Sequence, residues 1–446
     1  MSACPPLQFV RRLTTITIVL GAIAACGSDA TTSAPPTNTT LVSSTPIAEG
    51  LDTAALTTLV TDATSQQSDA IVILRHGKVA YENHFGKADV PIYAASVSKS
   101  FVSLAYGYLL ADGKLTSLDD KVTKYLPDFA NSDPRKDAIT LRMLLTHTSG
   151  LRPGQAQLVP TDVFTFAASE PLVFSPGTSW QYLNAGADLA GALVAKIGGE
   201  AIDTYLQRKL FTPLGITTAV WDHGAQNLPL ASGAVGGLHI KAMDLAKVGQ
   251  VILDGGKWNG TQLIPADYIT LAETSSQNFE TDYGLFWWRA QNGSSVELTS
   301  DLLAMWEGNG VSPTITAKVQ SLVGVTYPSA QQLASAVQAL LTSDEYGRLT
   351  AALLVGDHTP GYRIVWAPEF FGPYFDGYLG QYMFVVPSKQ LVAVRMRAAT
   401  PSDYASTTEV NSYPTFLSDA YRLVPATVTF VPSAAMLSRT RALPPQ

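Results

Sequence analysis

Two pairs of strand-like apolar runs stand near opposite ends of this chain, and helical patterning fills most of what lies between them. Near the start, A-I-V-I-L-R-H-G-K-V-A-Y-E-N-H-F (70–85) is apolar from Ala70 to Leu74, breaks at His76-Gly77 and resumes at Val79, the pattern of a β-hairpin. Near the end, Q-Y-M-F-V-V-P and Q-L-V-A-V-R-M-R, between Gln381 and Arg397, read as two further strands joined at Pro387-Ser388-Lys389. Each run needs partners to bury its apolar face. The simplest arrangement is therefore one antiparallel sheet built from N- and C-terminal segments with flanking helices, plus an inserted, mostly helical lobe: an α/β (α+β) fold.

Helices are expected at 187–197 and 241–253, with a last one over roughly 414–423. Another should begin near Ser96, where Val97, Phe101, Leu104, Ala105, Tyr108 and Leu109 fall on one side and Gly113 stops it. At 446 residues the chain has room for two lobes. Its net charge of −7 gives no basic field for nucleic acid.

The first residues read as a targeting segment. Arg11 and Arg12 precede an apolar stretch, 13–25, too short to span a bilayer, which suits the core of a secretory signal. Ile23-Ala24-Ala25-Cys26 resembles a bacterial lipobox. That resemblance implies cleavage before Cys26, lipidation of its thiol and an extracytoplasmic, membrane-anchored protein, facing the periplasm. A plain cleaved signal with an incidental cysteine is the alternative. The Ser/Thr/Pro-rich stretch 26–50 suits a disordered tether. The only other cysteine is Cys4, so the processed chain would have no thiol for cysteine catalysis or metal binding.

The chemistry-bearing stretch is P-I-Y-A-A-S-V-S-K-S-F (91–101). On a helix, Ser96 and Lys99 share a face, so the amine reaches the hydroxyl. A lysine in the first turn meets the positive end of the helix dipole, and burial also disfavours its charge. Both effects lower its pKa towards proton transfer near neutrality. The helix terminus would in turn stabilise a developing oxyanion. Ser96 as an ordinary helix N-cap is the competing reading. Downstream, Tyr182-Leu183-Asn184 offers a tyrosine capable of base chemistry near a cation, and an asparagine to orient lysine and substrate. Tyr81-Glu82-Asn83 repeats the pattern but falls in the first hairpin, on an expected solvent edge.

With these elements the chain resembles the serine β-lactamase and penicillin-binding-protein superfamily. The branch is that of class C β-lactamases, D-alanyl-D-alanine carboxypeptidases, related carboxylesterases and 6-aminohexanoate-oligomer hydrolases. The resemblance rests on S-V-S-K (96–99) and Y-L-N (182–184), with L-L-T-H-T-S-G-L (144–151), F-S-P-G-T-S-W-Q-Y and V-G-G-L-H-I-K-A-M-D-L-A-K-V-G-Q in family order. It implies a β-lactamase-like fold over 51–292 and 360–430. It further implies acylation of Ser96, base and acid work shared by Lys99 and Tyr182, and positioning by Asn184. The third motif, K-T-G or H-x-G in the family, falls at Tyr378-Leu379-Gly380, followed by Gln381. The N–H groups of Gln381 and Ser96 would form the oxyanion hole.

Gly380 matches that motif; Tyr378 and Leu379 do not. The resemblance gives the missing Lys and Thr the task of recognising the carboxylate of β-lactams and D-alanyl peptides. Arg395 and Arg397 lie close enough in sequence to compensate, although strand residues there are expected to be solvent-facing or paired. A carboxylesterase-like hydrolase of small esters or amides is therefore the leading expectation. A class C-like β-lactamase or D,D-carboxypeptidase is the alternative, and an inactive binding protein of the same fold is a third. No cofactor is implied. The histidines show no metal-ligand spacing, and His147 is expected to shape a loop. Residues 293–359 read as an insertion of unknown role, with a helix at 328–341. The aromatic run 366–378 either walls an apolar pocket or packs within that insertion.

Overall fold

The computed structural model describes residues 38–152, 162–222, 237–275, 277, 279–280, 282–291, 295–308, 310–327, 330–355, 363–365, 370–400 and 415–425. The expected leader, Cys26 and the first part of the expected tether lie outside them. Seven strands form the central sheet: β1 (Val42–Ser43), β2 (Ala70–Arg75), β3 (Lys78–Asn83), β4 (Trp288–Gln291), β5 (Phe370–Gly377), β6 (Gln381–Val386) and β7 (Leu391–Met396). Their order is β1-β3-β2-β7-β6-β5-β4, so the two ends of the chain meet where β2 pairs antiparallel with β7. Leu391 to Met396 face Arg75 to Ala70 in unbroken register. The β2–β3 hairpin turns at His76 and Gly77, both with positive φ, the geometry that matches strand twist.

Two features of this sheet depart from the expected one. Its edge strand β1 pairs parallel with β3, which makes the sheet mixed, and the other edge, β4, comes from the middle of the chain. Nor does the tether extend to residue 50. Val42–Ser43 is hydrogen-bonded into the sheet, and buried Glu49 pairs with Lys78 at 2.9 Å and His76 at 2.9 Å. A backbone strand partner and a paired buried carboxylate hold this polar segment down without an apolar core of its own.

Helices cover both faces. Strand alternation sets Val392 and Val394 on one side of β7, and Arg395 on the other. The first side meets α4 (Ala242–Leu253), where Gly249 lies so close to Val392 and Met383 that a Cβ would come within 2.6 Å of Val392. Phe375, paired with Met383, packs on Phe101 of α2 (Val97–Ala111) on that same side, with ring centroids 6.3 Å apart. The opposite side carries α1 (Thr53–Ser65) and α5 (Phe416–Arg422), with Phe416 stacked on Tyr382 at 5.4 Å. Residues 295–355 gather a second core around Val296, Leu298, Trp306, Val319 and Leu333.

Helix α2 is the pivot of the fold. Its apolar residues do not form a single stripe facing the core, because Val97 to Leu109 are all buried. The helix runs through the interior, so its polar residues need internal partners. Ser100 donates to the Phe286 carbonyl at 2.9 Å, Ser103 bonds the Tyr268 hydroxyl at 2.9 Å, and Ser98 accepts from the Leu238 N–H at 3.3 Å. Phe101 alone contributes about 1.5–3 kcal/mol through its burial.

Candidate active site

Ser96 sits at the N-cap position of α2, yet its side chain makes no capping bond. Its Oγ instead lies 3.0 Å from the Lys99 Nζ, one helical turn on. The N-cap reading is thus set aside by geometry. Ala95, just before it, takes φ of 49°, a left-handed conformation that costs a non-glycine residue energy and survives only where the surroundings enforce it. One enforcing neighbour is the Leu238 carbonyl, which accepts the Ala94 N–H at 2.8 Å. Another is Gly377 at the end of β5. A Cβ there would fall 2.4 Å from the Ala94 oxygen and 3.3 Å from the Ala95 Cβ, so only glycine lets the strand abut the serine's turn.

Lys99 is buried, and desolvation lowers its pKa to about 7, with buried Asp188 opposing part of the shift. Its Nζ stands 4.8 Å from the centroid of the Tyr182 ring. Burial raises the Tyr182 pKa, with Ser96 opposing the rise and Asp376 adding to it. Tyr182 is accordingly a neutral phenol, not the phenolate that a nearby cation alone would favour, and Lys99 becomes the titrating group.

The Tyr182 loop is set by His147. Its Nδ1 accepts the Leu183 N–H at 3.1 Å, which leaves the ring proton on Nε2, and burial holds its pKa well down. Its ring lies 4.4 Å from that of Tyr182. Trp288 of β4 stacks parallel to Tyr182 at 6.2 Å and meets Tyr283 edge-on at 4.3 Å. Tyr374 of β5 also stacks on Trp288, with ring centroids 6.2 Å apart. Among the expected aromatics, then, Tyr374 stacks on Trp288, whereas Phe375 and Phe371 pack on Phe101 and Tyr421 and residues 366–369 lie outside the described chain.

Asn184 opens α3 (Asn184–Gly198), but its Oδ1 is buried without a hydrogen-bond partner among the described residues, so that oxygen does not reach Lys99. Tyr81-Glu82-Asn83 lies in β3, where Asn83 bonds the Tyr81 hydroxyl at 3.0 Å, far along the sheet order from β5. Tyr378, Leu379 and Gly380 form the β5–β6 turn, and Leu379 and Gly380 have φ of 69° and 74°. Gln381 pairs with Gly377, and it is Gly377, just before this turn, that packs against the serine's turn. Arg395 is neither solvent-facing nor directed at a ligand. Its Nη1 donates to the Leu379 and Gly380 carbonyls at 2.6 and 2.7 Å, Nη2 to the Gln66 carbonyl at 2.7 Å, and Nε to Ser68 at 2.8 Å.

A profile described as Beta-lactamase matches residues 56–409, most of the chain. The chain belongs to the Beta-lactamase family. Its fold is that of the family's solved members. It is similar to a class C beta-lactamase structure (TM-score 0.52, 15% identity, 84% of this chain and 96% of that one). It is also similar to the octameric penicillin-binding protein homologue from Pyrococcus abyssi (TM-score 0.50, 20% identity, 82% and 76% of the two chains). Among curated sequences, Esterase EstB of Burkholderia gladioli is 32% identical over 32% of this chain and 44% of its own length. The chain spans about half the length of the curated relatives it matches first. Within the Beta-lactamase family, whose members are serine hydrolases, the Ser96–Lys99–Tyr182 cluster is the constellation suited to acyl transfer. Sequence reasoning passed over Gly377, Trp288 and Asp188. A glycine three residues before Gly380 was a usable signal for the first; nothing local marked the other two.

Proposed function

We propose that this protein is a carboxylesterase-like serine hydrolase that cleaves neutral esters or amides of small molecules through a Ser96 acyl-enzyme. The observation that carries the reading is the 3.0 Å contact between Ser96 Oγ and a buried Lys99 amine with pKa about 7. At neutral pH a large share of that amine is unprotonated and ready to accept the serine proton. Oγ then bonds the substrate carbonyl carbon, and the oxyanion is received by the N–H groups of Ser96 and Gln381. The proton passes through Lys99 and the Tyr182 phenol to the departing alkoxide or amine. Water, activated by the same pair, releases the acid and restores Ser96.

Substrate class follows from what the third motif lacks. Tyr378 and Leu379 offer no cation, and the Arg395 guanidinium is engaged with backbone carbonyls. A ligand carboxylate would be desolvated there without the charge-assisted bond that contributes about 1.5–3 kcal/mol. The Trp288 ring stacked on Tyr182 suits an apolar acyl or alcohol part. The esterase among the relatives agrees with this reading. A fluorophosphonate probe tests the nucleophile: peptide mapping should find the phosphonyl group on Ser96. A folded protein whose Ser96 stays unmodified would instead be a binding protein of this fold.

A further inference from the structure

One carboxylate stands where β5 meets the serine's turn. β4 pairs with β5 as far as Trp288 opposite Tyr374, and β5 then runs on along β6 to Gly377. Gly377 abuts Ala94 and Ala95, and Asp376, half-buried, immediately precedes it. Strand alternation sets Phe375 and Asp376 on opposite sides of β5. Phe375 takes the core side, with its ring 6.3 Å from that of Phe101 and 5.1 Å from that of Trp287. Asp376 shares the side of Tyr374, whose ring stacks on Trp288, which in turn stacks on Tyr182. Asp376 is close enough to Tyr182 for its charge to add to the effect of burial on the phenol. It therefore borders both the serine's turn and the phenol that serves the leaving group.

We infer that Asp376 is a specificity-determining residue, selecting esters or amides whose departing alcohol or amine carries an ammonium group. The inference rests on the proposed hydrolase reading, in which the Tyr182 phenol passes a proton to the leaving group. A group that departs beside Tyr182 departs on the side Asp376 borders. Where water is partly excluded, a carboxylate attracts a cation strongly and repels an anion as strongly. An ionised carboxylate has about four acceptor sites, so bonds it makes within the protein leave capacity for a ligand. Arg395 stands across Tyr382 from Asp376 in one cross-strand row, and its Nη1, Nη2 and Nε are directed to the Leu379, Gly380 and Gln66 carbonyls and to Ser68. Lys99, the cation of the serine's helix, loses its proton near pH 7. Asp376 thus works in the same direction as the missing cation at Tyr378 and Leu379: it disfavours a substrate carboxylate, and it adds an attraction for the opposite charge.

The test uses the full chain and a matched pair of thioesters, butyrylthiocholine and its neutral carbon isostere 3,3-dimethylbutyl thiobutyrate. The two share an acyl group and differ by one charge on the departing thiol. Wild-type kcat/KM should favour the cationic ester by about tenfold or more, the lower end for a charge-assisted contact. Asp376→Asn should bring the cationic-to-neutral ratio to within about twofold of one, mainly through the KM of the cationic ester, and Asp376→Glu should keep most of the preference. A wild-type ratio near or below one overturns the inference, and so does a ratio in folded Asp376→Asn equal to that of wild type. If the asparagine variant does not fold, salt decides. Raising ionic strength from about 0.01 M to about 1 M should lower the wild-type ratio several-fold by screening, and a ratio indifferent to salt overturns the inference. Turnover that persists in Ser96→Ala would sink the hydrolase reading itself, whatever the preference between the esters, which separates the two failures.

Discussion

The Lys99 Nζ lies 3.0 Å from the Ser96 Oγ and is buried, so its proton affinity is set by desolvation before any other influence. The acylation rate constant should therefore rise with pH through about 7, as the amine loses its proton. Stability follows with a definite sign. The folded pKa of about 7 is below the unfolded 10.5, so between those values the unfolded chain holds more protons, and stability rises with pH across that window. Lys99→Met should lose about a thousandfold in kcat, lose this pH-dependent stability component, and unfold at a higher temperature at pH 6. Pre-steady-state kinetics and thermal unfolding at several pH values check both.

Tyr182→Phe should lower kcat roughly a hundredfold, the scale for a positioned acid or base. Tyr81→Phe, in β3 with its hydroxyl bonded by Asn83, should be nearly silent. Equal losses at the two positions would refute the choice between the two motifs.

His147→Ala should destabilise the protein by about 2–4 kcal/mol, combining a cavity with a buried Leu183 N–H left without its acceptor. Activity should fall because the Tyr182 loop loosens. The limb of the pH profile near 7 should stay in place, since His147 is neutral in the folded protein and Lys99 is the group that titrates. A shifted limb would transfer that titration to the histidine.

Lipid attachment at Cys26 is proposed from the sequence. Wild-type protein expressed with its leader should partition into a detergent phase, and Cys26→Ser should not, since each buried CH₂ contributes about 0.8 kcal/mol. Wild-type protein found wholly in the aqueous phase after export contradicts the proposal.

The fold was legible where periodicity met punctuation. His76-Gly77 and Pro387–Lys389 mark turns whose backbone only a few residue types tolerate, and the strands around them were placed to within a residue or two. Val42–Ser43 was hidden because two residues in a Ser/Thr/Pro-rich stretch carry no pattern; the strand exists through its partner β3. Ser96 and Lys99 were readable because their spacing is local to one helical turn. The roles of Gly377 and Arg395 were not, because each depends on a contact with a distant segment: the Ala94–Ala95 turn for one, the end of α1 and the β5–β6 turn for the other. Arg395 on a strand reads as surface or paired; only the structure shows its donors spent on three carbonyls and the Ser68 hydroxyl.

The central claim is tested most directly by measuring kcat/KM on one preparation for p-nitrophenyl acetate and butyrate, nitrocefin, benzylpenicillin and a D-alanyl-D-alanine peptide. With Tyr378 and Leu379 in the β5–β6 turn and Arg395 committed to its carbonyls, the short neutral esters should exceed every carboxylate-bearing substrate by at least a hundredfold. That corresponds to about 2.7 kcal/mol, the scale of one charge-assisted bond to a carboxylate. Efficient turnover of nitrocefin or benzylpenicillin beside feeble ester hydrolysis would contradict the account.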